Sequence, residues 1–225
     1  RRKPFALRRA NPVGSLVLLR SHTELWRLAT IQFLAYLAHN VFSVWALYAI
    51  YRYAWDQKSI GISLMVVGIC AAVISGGLTG RMVKWVGERR TLYIGQMFGS
   101  AGMLMAGLAR TGALFLASIP IISPWNISMP AAQSMMTHRV SEREQGELQG
   151  ALQSMRSITF IIGLWLFLRI IGWFIDPKRP IHLPAAPIFL ACGLPFTALR
   201  LANGVEQPQI SQSSTGARNE LVHSN

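Results

Sequence analysis

"SIGISLMVVGICAAVISGGLTGRMVKWVGERRTLYIGQMFGSAGMLMAGLA" spans residues 59–109, and its reading decides the fold. Two apolar runs, 59–80 and 91–109, hold no charged side chain, while the connector between them carries Arg81, Lys84, Arg89 and Arg90 opposed only by Glu88. A run of about 20 such residues reaches across a hydrocarbon core as a helix. Backbone N–H and C=O groups find no partner in lipid, so a spanning segment must satisfy them internally, which a helix does. The pair reads as a membrane hairpin with a cationic turn.

The same pattern extends in both directions. Six apolar stretches, at about 26–50, 59–80, 91–109, 113–136, 149–174 and 184–202, approach or exceed the spanning length, the last interrupted by Pro184, Pro187 and Pro195. The expected fold is an all-α membrane protein with six transmembrane helices. "ARTGA" (109–113) leaves almost no loop between the third and fourth stretches and makes them antiparallel neighbours. Residues 1–24 form a basic polar lead-in, 25–202 the helical body, and 203–225 a polar tail expected to be disordered. The first residue is Arg, so the lead-in is expected to be the central loop of a longer protein.

Composition bounds the function. The chain has 225 residues, 52% hydrophobic and 14% charged, with a net charge of +13. A nucleic-acid module gathers its cations on one soluble face beside stacking aromatics; here they punctuate apolar runs, so no nucleic-acid partner is expected. Cys70 and Cys192 both lie in apolar stretches without paired spacing, which argues against a disulfide framework or a zinc site. There is no phosphate-binding glycine loop, no metal-binding His/Glu pattern and no carboxylate within an apolar stretch. An enzyme, a catalytic residue, a cofactor and a bound metal are therefore not expected.

Counting cations on alternate sides gives the orientation. With both ends on one face, that face holds fifteen, including Arg81, Lys84, Arg89, Arg90, Arg139 and Arg143; the other holds five, and Arg156 and Arg169 fall inside the fifth stretch. The positive-inside rule places the richer face, and both termini, in the cytoplasm.

Polar residues mark the candidate site. Gln32, Tyr36, His39 and Ser43 recur at i, i+4, i+7 and i+11, one helical stripe with Asn40 beside it. Such groups are costly against lipid and should face protein or water, lining a substrate path or bonding to neighbouring helices. His39 could carry a proton or simply pack. Gln149, Gln153 and Arg156 share a face of the fifth stretch, where Arg156 lies roughly 10 Å deep. It faces the interior and attracts an anionic or polar ligand, or snorkels to headgroups. Gln96 is expected to bring the third stretch to the same cavity. Trp125 and Asn126 sit among Pro120, Pro124 and Pro130, where the helix should be kinked, whether for packing or for a broken-helix site. Gly95, Gly99, Gly102 and Ala106 form a small-residue ridge suited to close helix packing, and Gly76 with Gly80 repeats the spacing. Ser141 and Glu144 have capping-box spacing.

"LYAIYRYAW" (47–55), "GLTGRMVKWVGERR" (77–90) and "MPAAQSMMTHRVSEREQGELQG" (129–150) resemble, in order, the C-terminal half of the major facilitator superfamily, most of all its tetracycline-resistance-type drug/proton antiporters. The similarity covers about 25–202, and the most specific element is "QGELQG", with Gln145, Gly146, Gln149 and Gly150. The resemblance implies one six-helix half of a twelve-helix bundle in the cell inner membrane, working with an N-terminal six-helix half outside this sequence. It also implies export of a small-molecule drug in exchange for protons as the halves rock about a central cavity. That cavity would be lined by Gln32, Tyr36, His39, Asn40, Ser43, Gln96, Trp125, Asn126, Gln153 and Arg156. Gly77, Gly80, Arg81, Lys84, Gly87, Arg89 and Arg90 match the family's cytoplasmic gating loop, although Lys84 stands where the loop has an acid. Gly99 likewise replaces an intramembrane Asp of tetracycline exporters, and Gly163-Leu164 a Gly-Pro pair. The alternatives are a truncated, non-transporting remnant or scaffold, and a facilitator-fold transporter of a nutrient.

Overall fold

The computed structural model describes residues 23–142, 144–176, 178, 180 and 182–202. The basic lead-in through residue 22 and the tail from 203 lie outside them. Six helical rods follow one another, and no strand occurs among the described residues. The first comprises Thr23–His39, a 3-10 turn at Asn40–Val44 and Trp45–Tyr53. The second runs from Gln57 to Val86 through a wide turn at Ile74–Leu78, and the third is Glu88–Leu108. The fourth comprises Gly112–Ile122, a 3-10 turn at Ser123–Ile127 and Ser128–Thr137; Gln145–Ile175 is the fifth and Ala186–Ala202 the sixth. Rods one, two, four and five are long and apolar enough to cross a membrane, and the sixth is a shorter apolar helix.

Two expectations change. The presumed connector at 81–90 is helical except at Gly87, so the cations decorate helix ends rather than a loop. Gly87 adopts φ 82°, a left-handed value that favours glycine, and lets the chain reverse on one residue. In the sixth rod, Pro184 and Pro187 lie at the start, where a missing N–H costs nothing, and only Pro195 falls inside the helix.

Local chemistry sets the other boundaries. Asp56 caps the second rod, its carboxylate accepting the Ser59 N–H at 2.8 Å; the Ser59 hydroxyl and amide hold that carboxyl below its usual range. Thr111 caps the fourth, accepting from Leu114 N–H at 3.3 Å. Before the fifth, Glu144 accepts both the N–H and the hydroxyl of Ser141, and the helix starts one residue later at Gln145.

The rods pack in an arc. The fifth contacts the first, the first contacts the sixth, the sixth the third, the third the fourth, and the fourth the second. The first also meets the fourth directly, so second, fourth, first and fifth form a front wall with the third and sixth behind. Core composition shows that directions alternate. One cluster joins the starts of the first, third and fifth rods (Leu28, Leu92, Leu148) to the ends of the fourth and sixth (Met135, Ala198). The other joins opposite ends and is aromatic: Phe115 lies 4.0 Å from Trp45, 5.3 Å from Tyr48, 5.2 Å from Tyr53 and 5.7 Å from Trp55, centroid to centroid. Lipid tails are as apolar as these side chains, so close packing and interhelical hydrogen bonds hold the rods together.

The glycine ridge supplies that closeness. A Cβ on Gly99 would stand 2.6 Å from Trp125 Cγ, one on Gly102 2.5 Å from Ile122 Cγ1, and one on Gly95 2.8 Å from Ser128 Cβ. All three approaches fall on the interrupted part of the fourth rod. There Pro120 and Pro124 lack N–H groups, and the hydroxyls of Ser123 and Ser128 cap the Ile119 and Trp125 carbonyls at 2.7 Å. Gly76 and Gly80 meet nothing within 4 Å, so that spacing joins no helices among the described residues.

Candidate functional site

A groove of about 1080 Å³ opens on the front wall between the first, fourth and fifth rods. The first contributes Tyr36, His39, Asn40 and Ser43; the fourth Asn126 and Gln133; the fifth Gln153, Arg156 and Thr159. Their spacing explains the convergence, since neighbours within each set lie one, three or seven residues apart and so share one face of the helix. A second crevice of about 480 Å³ lies toward the second rod, and His39, Phe42 and Asn126 border both spaces. His39 is held edgewise to Phe42 at 4.9 Å and tilted against Trp125 at 5.5 Å, and its Nδ1 has no hydrogen-bond partner.

Arg156 is exposed in this groove, its guanidinium carbon 5.9 Å from the centre of the Tyr36 ring. A cation over an aromatic face gains about 0.5–1 kcal/mol at an exposed site, so the ring steadies a long side chain there. Arg169, nearer the other end of the rod, sits in the same way 5.6 Å from the Trp165 ring.

Three expected cavity residues lie elsewhere. Gln32 and Gln96 are each 1% exposed, and so is Trp125. The third rod belongs to the back layer, so Gln96 reaches not the groove but Trp125, whose Nε1–H it accepts at 3.0 Å. Gln32 shares the stripe of Tyr36 but lies a full turn away, under neighbouring helices. Gln96 and Trp125 bond to each other across the bundle, the second of the two roles open to such groups, whereas Gln32 is buried with its Nε2 unpartnered. Asn40 has a double position: it borders the groove while its Nδ2 donates to the carbonyls of Tyr36 at 2.8 Å and Thr159 at 3.1 Å. Gly163 makes this clamp possible, because a Cβ there would stand 2.7 Å from Asn40 Cγ.

Sequence reading missed Gln133 and Thr159. Gln133 follows Asn126 and Pro130 at i+7 and i+3, a legible spacing; its Nε2 donates to Gln149 Oε1 at 2.7 Å and ties the fourth rod to the "QGELQG" segment. Within that segment Gln145 is half-buried, and Gly146, Gln149 and Gly150 are exposed. Along the expected gating loop, Gly77 lies in the wide turn, and Gly80, Arg81 and Lys84 are exposed on the helix beyond it. Arg89 lies over the Tyr93 ring at 5.8 Å and Arg90 is exposed. Glu88 faces the end of the fourth rod, accepting the Ser134 hydroxyl and approaching His138 Nε2 at 3.3 Å.

The sequence profile of the Major Facilitator Superfamily matches residues 1–164. The chain belongs to the major facilitator superfamily. The match begins before the first rod and ends within the fifth, beside Gly163 and Leu164. The chain is 32% identical over 163 residues to the class C tetracycline resistance protein of Escherichia coli, covering 72% of this chain and 41% of that protein. It is 31% identical over 121 residues to the class G tetracycline resistance protein of Vibrio anguillarum, covering 54% and 31%. With the class B protein of Escherichia coli identity is 28% over 125 residues, covering 56% and 31%. The chain thus matches less than half the length of these curated relatives. As a superfamily member with membrane-length helices it is a multi-pass membrane protein.

Proposed function

We propose that the protein is part of a secondary transporter that exports a drug of tetracycline-like size from the cell in exchange for protons. In this reading the chain is one six-helix half in the cell inner membrane, with both ends cytoplasmic, paired with a second six-helix half across the groove. The observation that carries the reading is the groove itself, an opening of about 1080 Å³ on the front wall of a superfamily bundle, lined at its middle by hydroxyl, amide, imidazole and guanidinium groups. Polar groups at that depth are expensive in lipid and are retained where they meet a ligand or water. Tyr36, His39, Ser43, Asn126, Gln153 and Arg156 are the proposed substrate contacts, with Asn40 holding the first and fifth rods together beside them. The basic hairpin about Gly87 is the proposed cytoplasmic gate, and Glu88 its contact with the fourth rod.

Inside-out membrane vesicles containing the protein test this. Respiration should drive tetracycline accumulation above that of vesicles lacking the protein, and a protonophore should abolish it. Equal accumulation in both preparations would refute export and leave a non-transporting membrane scaffold. Uptake unaffected by the protonophore would refute proton coupling.

A further inference from the structure

We propose that the groove accepts an organic anion, a planar molecule presenting a carboxylate or similarly charged oxygen group to Arg156. The inference rests on the transport reading and narrows its substrate class. Among the described residues lining the groove, Arg156 is the single one with a permanent charge, and no carboxylate lines it. Nor does a carboxylate pair with Arg156 from elsewhere among the described residues. A guanidinium kept in an apolar rod without a counter-ion among the described residues is a charge open to a partner that enters the groove. Its contact with Tyr36 restricts the side chain without using its N–H fork, which matches two oxygens of one planar group. The side-chain amides of Gln153 and Asn126 add N–H donors to the same wall, one N–H of Asn126 being already bonded to the Ser123 carbonyl. A cation would meet repulsion from Arg156 and find no acidic partner among the described residues.

Two xanthene dyes of similar size and opposite charge, fluorescein and rhodamine 123, provide the test. Binding of each to the full chain in uncharged maltoside micelles is followed by fluorescence anisotropy at a pH where fluorescein is fully ionised. Fluorescein should bind about tenfold more tightly or better, the scale of one charge-assisted pair. Arg156→Gln should erase that preference, and Arg156→Lys should keep part of it because the charge remains without the fork. Thermal unfolding of each variant shows that the bundle is intact. Equal or tighter binding of rhodamine 123, undiminished fluorescein binding by Arg156→Gln, or no binding of either dye would overturn the proposal. Displacement of fluorescein by equimolar phosphatidylglycerol would overturn it too, in favour of a lipid phosphate at Arg156. Energised vesicles separate the two readings. Selective fluorescein binding without accumulation upholds the ligand class and refutes transport, whereas accumulation of rhodamine 123 alone upholds transport and refutes the ligand class.

Discussion

Gly99 and Trp125 touch so closely that any side chain at residue 99 collides with the indole: a Cβ there would lie 2.6 Å from Trp125 Cγ and 2.9 Å from Cδ1. The indole is in turn fixed by its hydrogen bond to Gln96 and its contact with His39. The resemblance to tetracycline exporters sets an acid at residue 99. In this chain the Trp125 ring fills that space, and an Asp could enter only by displacing it.

Gly99→Ala should therefore destabilise the bundle by about 1–3 kcal/mol, the cost of overpacking a filled core. Differential scanning fluorimetry of the purified chain in detergent should show a melting temperature several degrees lower. Combined with Trp125→Leu, which opens room, the loss should be much less than the sum of the two single changes. Strict additivity would mean that the two residues do not share this contact.

Asn40→Ala removes one hydrogen bond within the first rod, to the Tyr36 carbonyl, and one across to the fifth, to the Thr159 carbonyl, each on the order of 0.6 kcal/mol for membrane helices. A total loss of about 1 kcal/mol should appear in denaturant titration. Gly163→Leu should cost more, because it forces the rods apart at the same place. If Gly163→Leu unfolds no more easily than the native chain, the close approach at Asn40 is not a property of the folded bundle.

Gly87→Ala tests the one-residue reversal between the second and third rods. A Cβ at φ 82° and ψ 161°, a region essentially reserved for glycine, carries a steric penalty on the order of 1–3 kcal/mol. Stability should fall by that order, and hydrogen exchange should quicken at Thr91, whose N–H bonds to the Gly87 carbonyl at 3.0 Å. Gly87→Asn should lose as much, because Asn tolerates the left-handed helical region near ψ ~47° and not the ψ of 161° found here.

Acid should loosen the start of the second rod. The Asp56 carboxyl is held below its ordinary value by Ser59, so its cap stabilises the helix above the unfolded carboxylate pKa, about 3.9, and fades as pH falls through the lower folded value. Exchange at Ser59 and Ile60 should accelerate below pH ~4, and Asp56→Asn should remove that pH dependence. Protection that stays constant down to strong acid would contradict the cap.

Several features were legible because they depend on local chemistry alone. Long apolar runs separated by clustered cations marked the rods, and the glycine spacing of 95, 99 and 102 marked the face that meets the fourth rod. The stripe of Tyr36, His39 and Ser43 and the face of Gln153 and Arg156 do meet in one groove. Periodicity identifies a face, however, and says nothing of which helix covers it. For that reason Gln32 and Gln96 looked like cavity residues while neighbouring helices bury both. The helical character of 81–90 was hidden for a different reason: cations read as a loop, but on a helix end they extend into water without interrupting its hydrogen bonds.

The interruptions at Asn40–Val44 and Ser123–Ile127 lie at one level, since His39, just before the first, touches Trp125 within the second. The wide turn at Ile74–Leu78 borders the latter from the second rod. Regular i→i+4 bonding resists bending, and 3-10 and wide turns are where helices yield. Three of the four front rods are therefore creased along one line, while the third rod behind them runs unbroken as a strut. A load on either end of the bundle would fold the front wall about this crease and widen or narrow the groove without unpacking the aromatic cluster around Phe115.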